Sequence, residues 1–120
     1  MDEISERDAA LLLDMMLAAR DARAFVADLD EAEFCASRLH QNAVIRSLEV
    51  IGEAAGKVVP DVRAVLPMVP WREIIGLRNR LIHGYAEVRL DRIWAIVRDD
   101  LAPLIAALEP LIPPDDPRPS

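Results

Sequence analysis

Between its prolines the chain places apolar side chains at helical spacing, and nowhere does it alternate apolar and polar residues as a half-buried strand would. Leu12, Met15, Met16, Ala19, Ala22 and Val26 mark a first helix over about residues 5–28. Val44, Leu48, Ile51, Ala55 and Val58 mark a second long one over about 37–58. Trp71, Ile74, Ile75, Leu77 and Ile82 carry a third, and Ile93, Val97, Leu101, Leu104 and Leu108 a last one over about 90–108. This pattern predicts an all-α protein, an up-and-down bundle of four or five helices, with no repeat and no domain linker.

The punctuation agrees. Ser5 followed by Asp8 reads as a capping box, the hydroxyl accepting from an amide three residues on while the acid reaches back. Asp30 before Glu31 and Glu33 reads as a fresh helix start, where acids suit the positive end of the helix dipole. That short helix should bury Phe34. Pro60 ends the second long helix, Asp61 to Leu66 have room for one or two turns, and Pro70 suits a helix's first position. Gly84 is a stop that could take the left-handed conformation. Pro103 should bend the last helix or lose it a hydrogen bond. Five of the nine prolines fall after residue 109, so residues 1–109 are expected to form one domain and 110–120 a disordered tail.

Two glycines, Gly52 and Gly56, lie inside the second long helix, each costing up to ~1 kcal/mol relative to alanine. Close approach of another helix explains them better than a functional Glu53 between them. Only 4% of residues are aromatic against 52% hydrophobic, so the core rests on aliphatic side chains and methionine. The lone Cys35 allows no internal disulfide and is read as a small core residue. His40 is read as an exposed or packing residue. No run suits a membrane span and the acidic start suits no signal peptide, so a cytoplasmic protein is expected.

Net charge −7 argues against a general electrostatic grip on nucleic acid. The distribution qualifies this. Acids crowd the first 34 residues, whereas Trp71 to Arg98 holds Arg72, Arg78, Arg80, Arg89, Arg92 and Arg98 against three acids. Within that basic part lies Arg78-Asn79-Arg80-Leu81-Ile82-His83-Gly84-Tyr85, with one of two histidines and the only tyrosine. Histidine moves protons near neutral pH and guanidinium holds an oxyanion. No metal-ligand cluster, Walker-type glycine loop or neighbouring serine nucleophile accompanies them. The set suits metal-independent RNA cleavage through the RNA's own 2′-hydroxyl, with histidine moving the proton and arginine stabilising the phosphate charge. A helix-end histidine bonded to a carbonyl among surface arginines fits the same residues. On one continuous helix Arg78 and His83 would stand about 140° apart. Convergence then needs either a helix break at or before His83 or a second subunit, the latter implying a symmetric homodimer with the motif at its two-fold axis.

The octapeptide resembles the Arg-x-x-x-x-His-x-Tyr signature of HepT-like toxins in the HEPN superfamily. Leu48-Glu49-Val50-Ile51-Gly52-Glu53-Ala54-Ala55 resembles the family's "LeiIGEA" helix, Val69-Pro70-Trp71 with Ile74 its "iPW..i" lead-in, and Ile93-Trp94 with Asp100-Leu101-Ala102-Pro103-Leu104 its last helix. Gly84 stands where many relatives carry Asp. The resemblance covers roughly residues 8–108 in the expected order. It implies a homodimeric RNase toxin of a type II toxin–antitoxin pair, with Arg78 and His83 catalytic, Asn79 and Arg80 supporting, and no cofactor or metal. It implies RNA as substrate and an MntA-type nucleotidyltransferase antitoxin that silences the toxin by AMPylation of Tyr85. The alternative reading is a non-catalytic helical dimer whose role is to dock the nucleotidyltransferase.

Overall fold

The structure, a computed structural model, describes residues 4–84 and 88–112; Tyr85 and the segment 113–120 lie outside the described residues. Seven α-helices and no strand are found among them: α1 Glu6–Phe25, α2 Glu31–Cys35, α3 Arg38–Lys57, α4 Pro60–Val65, α5 Trp71–His83, α6 Leu90–Asp99 and α7 Leu101–Leu108. A 3-10 turn, Glu109–Leu111, follows. The all-α expectation holds, with more and shorter helices than the periodicity alone suggests.

Antiparallel α1 and α3 form the central pair; α5 lies on the far side of α3, α7 packs on α1, and α2 bridges α3 and α6. The core is aliphatic, as the composition requires: Leu12, Met15, Val44, Leu81, Ile93 and Leu108 are fully buried. The exception is Phe34, also fully buried, with its ring centroid 5.5 Å from that of Trp94. Such a close, tilted aromatic pair anchors α2 on α6.

Local chemistry explains most boundaries. Ser5 accepts from the Asp8 amide at 3.0 Å, as the capping reading expects, but the Asp8 carboxylate reaches the Ser5 hydroxyl and the Val59 amide instead of the Ser5 backbone. Asp8 is thereby buried and joins the start of α1 to the α3–α4 junction. Asp30 and Glu33 form a full reciprocal capping box. Pro70 is the residue before the first turn of α5 instead of the first within it. The expected last helix is divided at Asp100, three residues before Pro103. Proline there removes the bond to the Asp99 carbonyl and clashes with it, so the break falls upstream, while Pro103 itself sits in the first turn of α7, where no N–H is needed.

Cys35 is exposed, contrary to the core expectation. At the C-terminal end of the five-residue α2, only Phe34 can turn inward. His40 is half-buried, its Nδ1 2.6 Å from the Ser37 hydroxyl. Leu111 and Ile112 are partly buried and pack against the core. No helix among the described residues is long and apolar enough to cross a membrane.

Candidate active site on helix α5

Helix α5 carries the residues of the octapeptide that are described. Glu73 lies in its first turn and Arg80 in its last, each charge matched to the nearer end of the helix dipole, and His83 is its final residue. The helix is unbroken through His83 and is capped by Gly84, whose amide donates to the Arg80 carbonyl at 2.7 Å. Gly84 has φ −136°, so it stops the helix without the left-handed conformation expected of it.

Because no break intervenes, the five positions from Arg78 to His83 turn the two side chains about 140° apart. Asn79 and Arg80 fall on the side of His83, within roughly 60° of it. All three are exposed, and His83 has no hydrogen bond to a described residue. Arg78 faces α3 and is half-buried; its Nη1 donates to Asn79 Oδ1 at 3.5 Å, and its Nε is buried with no hydrogen-bond partner among the described residues. Around the helix, His83, Asn79 and Arg80 leave from one side and Arg78 from another, and the Arg78 guanidinium reaches Asn79 but has no hydrogen bond to His83 among the described residues.

What Arg78 faces is Gly52. A methyl group at Gly52 would overlap the Arg78 Cβ and come within 2.9 Å of its Cγ and 3.0 Å of the Ile74 carbonyl oxygen. Close helix approach is thus the reason for this glycine. It is not the reason for Gly56, where an added Cβ would meet nothing within 4 Å. Glu53 points outward to Lys57 at 3.5 Å.

On its other flank α5 is separated from α6 and α7 by a groove of about 510 Å³, lined by Ile51, Ile74, Leu77, Ile96 and Leu104 among others, with Arg80 and Arg92 also at its walls. Neither guanidinium is ion-paired with a described residue, whereas Arg89 and Arg98 pair with Asp91 and Asp99 at 2.7 and 2.8 Å. The hydrogen bond from Arg98, and then its charge, hold the Asp99 carboxyl below its ordinary range. Sequence reasoning did not single out Arg92; its only signal was membership of the basic run. Among the described residues no three His, Cys, Asp or Glu side chains come together in a way that could hold a metal ion.

Comparison with known proteins bears on this helix and its surroundings. The family model described as "Ribonuclease HepT-like" matches residues 15–111. "Putative RNase MJ1380" of Methanocaldococcus jannaschii is 42% identical over 82% of this chain and 91% of its own length. "Putative RNase MJ0125" of the same organism is 35% identical over 86% of this chain and 89% of its own. "Probable ribonuclease HepT" of Thermococcus cleftensis is 36% identical over 72% and 79%. No solved structure is a significant match. The family match spans α5, its Gly52 contact and the groove, and relatives at this identity cover most of the fold; the chain belongs to the Ribonuclease HepT-like family.

Proposed function

We propose that this protein is an endoribonuclease that cuts RNA without a metal ion, working as a homodimer whose active site is shared between subunits. Family membership and the names of the relatives support RNA as the substrate. The observation that carries the shared site is the unbroken α5, which turns Arg78 and His83 about 140° apart on one chain. Ile82 stands between them around the helix and is 43% exposed, an apolar side chain where a partner surface would cover it. Across a two-fold axis, His83 of one subunit can meet Arg78 of the other.

In this mechanism the 2′-hydroxyl of the RNA attacks the adjacent phosphorus and the 5′ oxygen of the next nucleotide leaves. The products are a 2′,3′-cyclic phosphate and a 5′-hydroxyl. His83 moves the proton, Arg78 stabilises the charge gathering on the phosphate oxygens, and Asn79 and Arg80 support them. The biological setting we propose is a type II toxin–antitoxin pair. A nucleotidyltransferase antitoxin of the MntA kind transfers AMP from ATP to the Tyr85 oxygen, releasing pyrophosphate. The added phosphate, two residues from His83, would repel the RNA backbone and block the site by bulk.

The test is cleavage of RNA in EDTA. Cyclic-phosphate ends, lost in both Arg78→Ala and His83→Ala, are expected. A need for Mg²⁺, or cleavage surviving His83→Ala, overturns the mechanism. Incubation with the nucleotidyltransferase and ATP should add AMP-sized masses that vanish in Tyr85→Phe. A protein that takes up AMP but never cuts RNA would instead be a docking dimer for its partner.

A further inference from the structure

Gly52 is the closest constraint on Arg78, and it acts where the side chain cannot swing away. The atoms an added Cβ would strike are the Arg78 Cβ and Cγ and the Ile74 carbonyl oxygen, all at or next to the α5 backbone. Non-bonded carbons rest about 3.5–4.0 Å apart, so relief would require the whole helix to retreat on the order of 1 Å. The arginine has a second unusual feature. Its Nε is out of reach of water and has no acceptor among the described residues, a cost that folded proteins tolerate at few places.

We infer that Gly52 is a positioning residue for Arg78: by letting α5 sit against α3 it seals Nε away and leaves only the two terminal guanidinium nitrogens to meet an RNA phosphate, end-on. This rests on the reading of Arg78 as a residue that touches the substrate phosphate. Side-on engagement through Nε and one Nη, the other bidentate mode of a guanidinium, is closed by the packing. Asn79, whose Oδ1 accepts from Nη1 at 3.5 Å, then steadies the edge that remains open. The glycine is thus needed for the direction in which Arg78 points, beyond its role in letting two helices touch.

The experiment uses the full-length protein. In the wild type, nitrogen-15 NMR of the arginine side chains should show the Arg78 Nε–H exchanging with solvent about tenfold more slowly than those of exposed Arg72 and Arg80. In Gly52→Ala that protection should be lost, and kcat for RNA cleavage should fall about 100-fold with KM little changed, as expected for a misplaced catalytic group. Gly56→Ala is the matched control and should change neither quantity. A fast-exchanging Arg78 Nε–H in the wild type overturns the inference, and does so even if Gly52→Ala fails to fold. So does a Gly52→Ala protein that keeps both protection and kcat. Arg78→Ala tells the two levels apart: if it still cuts RNA, the catalytic reading of Arg78 fails, while the exchange measurement continues to judge the packing.

Discussion

The Arg63 guanidinium lies 5.8 Å from the centroid of the Trp71 ring while its Nε donates to the Val58 carbonyl and its Nη2 to the Ala55 carbonyl, at 3.0 and 3.1 Å. One side chain thus closes the end of α3 and holds the first residue of α5. Trp71 is fixed from its other end by its indole N–H, which donates to the Leu66 carbonyl at 3.1 Å. The tilt of α5 against α3, and so the place of Arg78, depends on this connection as well as on Gly52.

Arg63→Ala should therefore destabilise the protein by about 1–3 kcal/mol, since it strips donors from carbonyls at a helix end and removes the cation from the ring face. Arg63→Lys should recover little, because an ammonium cannot serve several carbonyls and stack on the indole together. Urea unfolding of the three proteins checks both. Equal stability of the lysine variant and the wild type would show that charge alone suffices.

Asp8 offers a second test at the opposite end of the same junction. Ser5→Ala removes one cap and should cost roughly 1 kcal/mol. Asp8→Ala should cost more, because it also leaves the Val59 amide without its acceptor and empties a buried position. Thermal unfolding that ranks Ser5→Ala as the more damaging change would contradict this account of Asp8.

The two glycines of α3 should respond with opposite signs. Neither has positive φ, so alanine fits the backbone at both. Gly56→Ala should stabilise by a few tenths up to about 1 kcal/mol through helix propensity, since its Cβ enters open space. Gly52→Ala should destabilise despite the same gain, through collision with Arg78. Denaturant midpoints of the two variants decide it.

These residues also show what the sequence could convey. Helix periodicity, the caps at Ser5 and Asp30 and the burial of Phe34 were readable because they are local, set by residues within a turn or two of each other. The break at Asp100 was half-readable: Pro103 foretold a disturbance, and its place followed from which carbonyl the ring meets. The roles of Arg63 and Asp8 were not, because each depends on carbonyls or amides that only tertiary structure brings near. Gly52 announced that some helix approaches, but not that it does so at Arg78. The octapeptide named candidates; only the continuity of α5 shows that one chain separates Arg78 from His83.

That separation gives the proposed shared site its sharpest test. If each site takes Arg78 from one subunit and His83 from the other, two inactive variants should repair each other. A heterodimer of Arg78→Ala and His83→Ala chains would hold one site lacking both residues and one site with both intact. After unfolding and refolding an equal mixture, half the dimers should be mixed, each with one working site of two, restoring about a quarter of wild-type RNA cleavage. If both residues served within a single subunit, every site in every dimer would lack one of them, and the mixture would stay as inactive as its parents.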